Sequence, residues 1–175
     1  MEEPYTPHAA ELVLESYRVS GEISGPSEPC RFVDLLNSLN SGFVLVRDAQ
    51  LDDPILHEHP ASHHDIVQVH LPAILFAIPI GDGLRYEDPL ETVEKQVVGC
   101  TMVVPGYEIV GNIHLRLGLI AGETPLIGLK HFIAMTDVRI TSVLNRSRMW
   151  KTDLVCVNLA RTIVFAPHRK LASVV

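Results

Sequence analysis

Phe43-Val44-Leu45-Val46-Arg47-Asp48-Ala49 decides the reading of the fold, because the pattern returns 89 residues later as Phe132-Ile133-Ala134-Met135-Thr136-Asp137-Val138. In both places the aspartate follows the phenylalanine by five positions. Gly21-Glu22-Ile23 stands 22 residues upstream of the first stretch, and Gly111-Asn112-Ile113 stands 21 upstream of the second. Downstream, Val67-Gln68-Val69-His70-Leu71 leads to Leu75-Phe76-Ala77. Its counterpart, Val155-Cys156-Val157-Asn158-Leu159, leads to Val164-Phe165-Ala166 with one extra residue between the blocks. Four blocks in the same order at nearly equal spacing mark a divergent internal duplication.

Each copy reads as β structure. Phe43, Leu45 and Arg47 alternate in direction with Val44, Val46 and Asp48, as a strand requires. Leu12 to Ile23 and Val97 to Val104 supply opening strands, and Ile109 to Ile120 supplies another. Glycines at 21, 42, 111, 118 and 128 fall where turns or bulges are expected. One short helical pattern, Arg31 to Leu39, sets Phe32, Leu35, Leu36 and Leu39 on one face. No long amphipathic helix follows, so an alternating βαβ plan is excluded. The expected architecture is all-β with minor α: two tandem, divergent, small β-barrel-like domains. Residues 1–80 form the first copy, 81–89 a linker rich in glycine, proline and charge, and 90–175 the second copy.

The order of blocks in each copy resembles small β-barrels of the Sm-like type. Gly-x-Ile, then Arg31-Phe32-Val33-Asp34-Leu35-Leu36-Asn37, then Phe43 to Ala49, is similar to bacterial domains of this shape. The resemblance covers most of the first copy and about half of the second, where Pro125-Leu126-Ile127-Gly128-Leu129 replaces the Arg-Phe-Val-Asp-Leu-Leu block. It implies a barrel and ring assembly, and no catalysis.

Composition narrows the function classes. Of 175 residues, 47% are apolar and 20% charged, which suits a folded globular chain. The net charge of -7 argues against a general nucleic-acid coat. That figure hides a division: residues 1–89 carry 15 acids and 4 bases, and residues 90–175 carry 6 acids and 10 bases. An acidic copy and a basic copy attract each other, within a chain or head to tail between chains. The acidic opening residues 1–11 lack the apolar segment of a secretory signal. The longest apolar run, Leu71 to Ile80, is broken by two prolines and is far shorter than a spanning helix. Cys30, Cys100 and Cys156 lack any CxxC spacing, which fits a reducing cytoplasm rather than a disulfide framework.

Two loops carry the candidate sites. His57-Glu58-His59-Pro60-Ala61-Ser62-His63-His64-Asp65 gathers four imidazoles and two carboxylates, good ligands for zinc, nickel or copper. Candidate metal residues are therefore His57, His59, His63 and His64; the plainer reading is a polar hairpin loop between Ala49 and Ile66. The matching loop of the second copy, Asn145 to Lys151, has no histidine but sets Arg146, Arg148 and Lys151 beside Trp150, the only tryptophan. That composition suits a protein-interface hot spot or a nucleic-acid clamp. No Gly-x-Ser-x-Gly, P-loop or His-Glu-x-x-His motif occurs. Asp48 and Asp137 are equivalent carboxylates, each expected to end its strand by accepting backbone hydrogen bonds.

The expected function is non-enzymatic and without a cofactor: a cytoplasmic assembly or adaptor module that acts through protein contacts and associates with itself. Strand edges of small barrels invite pairing between subunits. With two units per chain, a dimer or trimer imitates a ring of four or six. The alternatives are an Sm-like nucleic-acid-associated protein using Arg146, Arg148, Trp150 and Lys151, and a metal-binding enzyme or sensor built on the histidines.

Overall fold

A computed structural model describes residues 6–25, 30–52, 61–81, 94–116, 131–145 and 149–168. Among the described residues, ten strands form one antiparallel sheet that is not closed. They are β1 (Thr6–Val13), β2 (Arg18–Gly25), β3 (Phe43–Asp52), β4 (Ser62–His70) and β5 (Phe76–Pro79) in the first copy. The second copy supplies β6 (Lys95–Val104), β7 (Tyr107–Arg116), β8 (Phe132–Ser142), β9 (Met149–Asn158) and β10 (Val164–Pro167). The order across the sheet is β10-β6-β7-β8-β9-β5-β1-β2-β3-β4. Each copy thus repeats one plan, its last strand beside its first, and the copies meet where β5 pairs with β9.

Register makes the duplication exact at the level of residue pairs. Leu12 faces Val19 as Met102 faces Ile109, and Ala10 faces Gly21 as Cys100 faces Gly111. Phe43 faces His70 as Phe132 faces Asn158. Asp48 and Asp137 lie inside β3 and β8 and do not end them. Each opens a bulge in which two residues oppose one glycine, Gly21 or Gly111, on the neighbouring strand. Their φ angles of 46° and 52° are left-handed, a conformation that aspartate tolerates better than most residues. A Cβ on Gly21 would lie 2.5 Å from the Arg47 carbonyl oxygen, and one on Gly111 would lie 2.9 Å from that of Thr136. Glycine is required because the bulge drives a backbone carbonyl against the strand.

The termini of several elements differ from the sequence expectation. Leu12 to Ile23 is two strands, broken by a turn closed by the Leu14 N–H donating to the Tyr17 carbonyl at 2.8 Å. No glycine or proline announces it. β3 runs on to Asp52 and β4 begins at Ser62, so part of the expected Ala49–Ile66 loop is strand. The extra residue placed between the tail blocks is also absent. Val13 faces Phe76 and Val103 faces Val164, so Phe76 corresponds to Val164 and Ala77 to Phe165.

The helix α1 (Phe32–Ser38) matches the expected pattern, with Phe32, Leu35 and Leu36 buried. Seven residues are too few to hold a helix alone, so its apolar face keeps it in place. That face enters a core with Leu12, Ile23, Val44, Val46 and Ile74. A second core contains Met102, Ile109, Ile113, Met135 and Val155. Neither core respects the copy boundary: Phe132 and Cys156 join the first, and Leu75, Phe76 and Ile78 join the second.

Candidate assembly interface

The junction between the copies is built from a short ladder and three side-chain clamps. Phe76 faces Val157 and Ala77 faces Cys156. The Asn158 N–H donates to the Leu75 carbonyl at 3.0 Å. The buried Asn158 amide donates to the Ile74 carbonyl at 2.8 Å and accepts from the Ala160 N–H at 3.0 Å. From α1, Asn37 reads the backbone of Phe132 in both directions: it donates to the carbonyl at 3.0 Å and accepts from the N–H at 2.9 Å. Arg161 of the basic copy pairs with Glu15 of the acidic one. Over the junction, Phe76 meets Tyr107 edge-on with centroids 5.2 Å apart, and Trp150 meets Tyr107 edge-on at 5.9 Å.

The two outer strands repeat the junction strands without their cover. Phe76 is wholly buried, whereas its counterpart Val164 on β10 is 46% exposed. Tyr107 is 3% exposed; Tyr17, at the same place in the first copy, is 57% exposed. Phe132 is 4% exposed and Phe43 46%. Asn158 and Cys156 are buried, while their counterparts His70 and Gln68 on β4 are exposed. Ile163, the counterpart of buried Leu75, is also exposed. Among the described residues, no strand pairs with the outer edge of β4 or of β10. Apolar side chains at unpaired strand edges are the features that strand addition uses.

The sequence-predicted site residues are distributed differently. His57, His59, Arg146 and Arg148 lie outside the described residues. His63 and His64 are consecutive in β4, facing Gln50 and Ala49, so their side chains take opposite faces of the sheet. His64 Nε2 lies 3.1 Å from Ser62 Oγ. No group of three or more potential metal ligands occurs among the described residues. Trp150 and Lys151 lie in β9 and not in a loop. The Trp150 ring is half-buried in the aromatic group with Tyr107, and Lys151 is exposed opposite Arg139. Asp48 and Asp137 are kept apart by β9, β5, β1 and β2 in the sheet order. Among the described residues, no helix is long and apolar enough to cross a membrane.

Residues that sequence reasoning missed are Asn37 and Tyr17. Asn158, the counterpart of His70 and flanked by apolar residues, reads from the sequence as a satisfied polar residue at a strand end, which its buried hydrogen bonds bear out; its partners across the junction, the Ile74 and Leu75 carbonyls, are distant in sequence and no local signal points to them. No family model, no curated protein and no solved structure matches the chain.

Proposed function

We propose that this chain is a non-enzymatic assembly module that acts through protein contacts and associates with itself. Each copy is a small β-barrel-like unit of the Sm-like kind. One observation carries the reading: positions buried at the in-chain junction are exposed at their counterparts, which are apolar at Ile163, Val164, Tyr17 and Phe43 and polar at Gln68 and His70. The pair of strands that forms the interface inside the chain has a counterpart strand at each end of the sheet. The unpaired cysteines suit a reducing compartment such as the cytoplasm.

The test is the mass of the native protein in solution across concentration and ionic strength. Species larger than one chain are expected, populated more as concentration rises. The acidic and basic copies add an electrostatic part that weakens with salt. A monomer under every condition overturns the proposal.

A further inference from the structure

We infer that chains join head to tail, with β10 of one molecule seated on β4 of the next, in the register that β5 keeps with β9. This rests on the self-association proposed above and specifies its partner as a second copy of the chain. Self-association through other surfaces would leave that reading intact and remove this one.

The argument is positional. β10 is held by its own copy in the way that β5 is held by its copy. The Leu75 N–H donates to the Val13 carbonyl at 2.8 Å, and the Ile163 N–H donates to the Val103 carbonyl at 2.7 Å. At the other end, Ile80 donates to Ala9 at 2.8 Å and His168 donates to Gly99 at 2.7 Å. The receiving strand is held equivalently too. Leu71 donates to the Gly42 carbonyl, and Leu159 to the His131 carbonyl, both at 2.9 Å. β4 keeps the register with β3 that β9 keeps with β8. The strand halves of the junction therefore exist a second time, one at each end of the sheet, each with its outer edge unpaired among the described residues; the side-chain clamps of Asn158 and Arg161 do not recur, since His70 and Ala73 stand at their places.

Carrying the in-chain register across gives specific partners. Val164 faces Val69 of the next chain, and Phe165 faces its Gln68, as Phe76 faces Val157 and Ala77 faces Cys156. The His70 N–H takes the place of the Asn158 N–H and donates to the Ile163 carbonyl. Tyr17 takes the place of Tyr107, and Val164 covers it where Phe76 covers Tyr107. Pro167 stands where Pro79 stands, which is past the two β5–β9 pairs, so its missing N–H costs no bond in the equivalent contact between chains. The contact is heterologous: each chain contributes a different edge to each of its two neighbours.

Two variants of the full chain test the register: Gln68→Cys and Phe165→Cys. Cys100 and Cys156 are buried and burial raises their thiol pKa values, that of Cys100 to about 11, which keeps them out of the exchange; Cys30, which is only half-buried, is replaced by serine in both variants. Mixed and mildly oxidised, the two variants give a disulfide-linked pair that neither gives alone. Cross-linking of one variant with itself means symmetric edge pairing and overturns the inference. An oligomer without the mixed cross-link overturns it as well, and leaves self-association standing. A monomer throughout overturns both. Amide exchange on the unmodified protein gives a reading independent of variant folding. Protection at His70 that is lost on dilution supports the inference, and a fast-exchanging His70 in an intact oligomer overturns it.

Discussion

Gly21 lies against the carbonyl oxygen of Arg47 at a distance that leaves no room for a Cβ, and Gly111 repeats the relationship with Thr136. The two contacts bend β2 on β3 and β7 on β8 at the same point of each copy. Gly21→Ala sets a methyl group within 3 Å of a backbone oxygen and of the Val46 side chain. It is expected to destabilise the fold by about 1–3 kcal/mol, read from the shift of the urea midpoint. Gly111→Ala costs less, because its nearest approaches are longer. Equal stability of Gly21→Ala and the parent chain would refute the account.

Asp48 and Asp137 pair with those glycines, and their left-handed φ sets the next expectation. Asp48→Val places a β-branched residue in that region and destabilises by about 1–2 kcal/mol, while Asp48→Asn and Asp48→Gly leave stability nearly unchanged. Asp137 also accepts a hydrogen bond from the Asn112 amide at 3.1 Å. Asp137→Gly should therefore lose a few tenths of a kcal/mol more than Asp48→Gly, that bond being exposed. Thermal unfolding of the four variants checks the order.

The two asparagines of the junction are expected to matter more than the ion pair beside them. Asn37→Ala removes a donor and an acceptor from the Phe132 backbone, and Asn158→Ala leaves the buried Ile74 carbonyl without its donor. Each is expected to cost about 1–3 kcal/mol in denaturant unfolding. Arg161→Ala breaks a more exposed pair and costs under about 1 kcal/mol, falling as salt rises. If Arg161→Ala proved the most damaging of the three, the clamps would be wrongly assigned.

The fold was legible where local chemistry decides it. The apolar alternation of Phe43 to Ala49 and the face of Phe32, Leu35 and Leu36 each announce an element within a few residues. The Leu14–Tyr17 turn was not legible, since a turn without glycine or proline leaves no mark in composition. The correspondence of Phe76 with Val164 was missed for a related reason. Matching like with like aligned Phe76 to Phe165, but the pairing with β1 and β6 decides the register. The candidate site was hidden further, because Asn37 and Tyr17 acquire their meaning only from the other copy.

A pH effect follows from His8. Burial holds its imidazole below the usual value, and its Nε2 has no hydrogen-bond partner among the described residues. The unfolded chain thus takes up this proton first as pH falls through about 6.5, and stability declines until the folded pKa is passed. Above that window the contribution is complete. His8→Leu should flatten the dependence, so that its urea midpoint falls less than the parent's between about pH 7.5 and pH 5. Parallel pH profiles would rule His8 out as the source.

The ladder between β5 and β9 has two residue pairs, Phe76 with Val157 and Ala77 with Cys156. So short a seam can persist because its halves belong to one polypeptide, whose tether holds them at a high effective concentration. The same seam between separate molecules has no tether and must form at bulk concentration. One covalent joint therefore sets a hierarchy: the pair of copies is the permanent unit, and anything larger responds to how much of the protein is present.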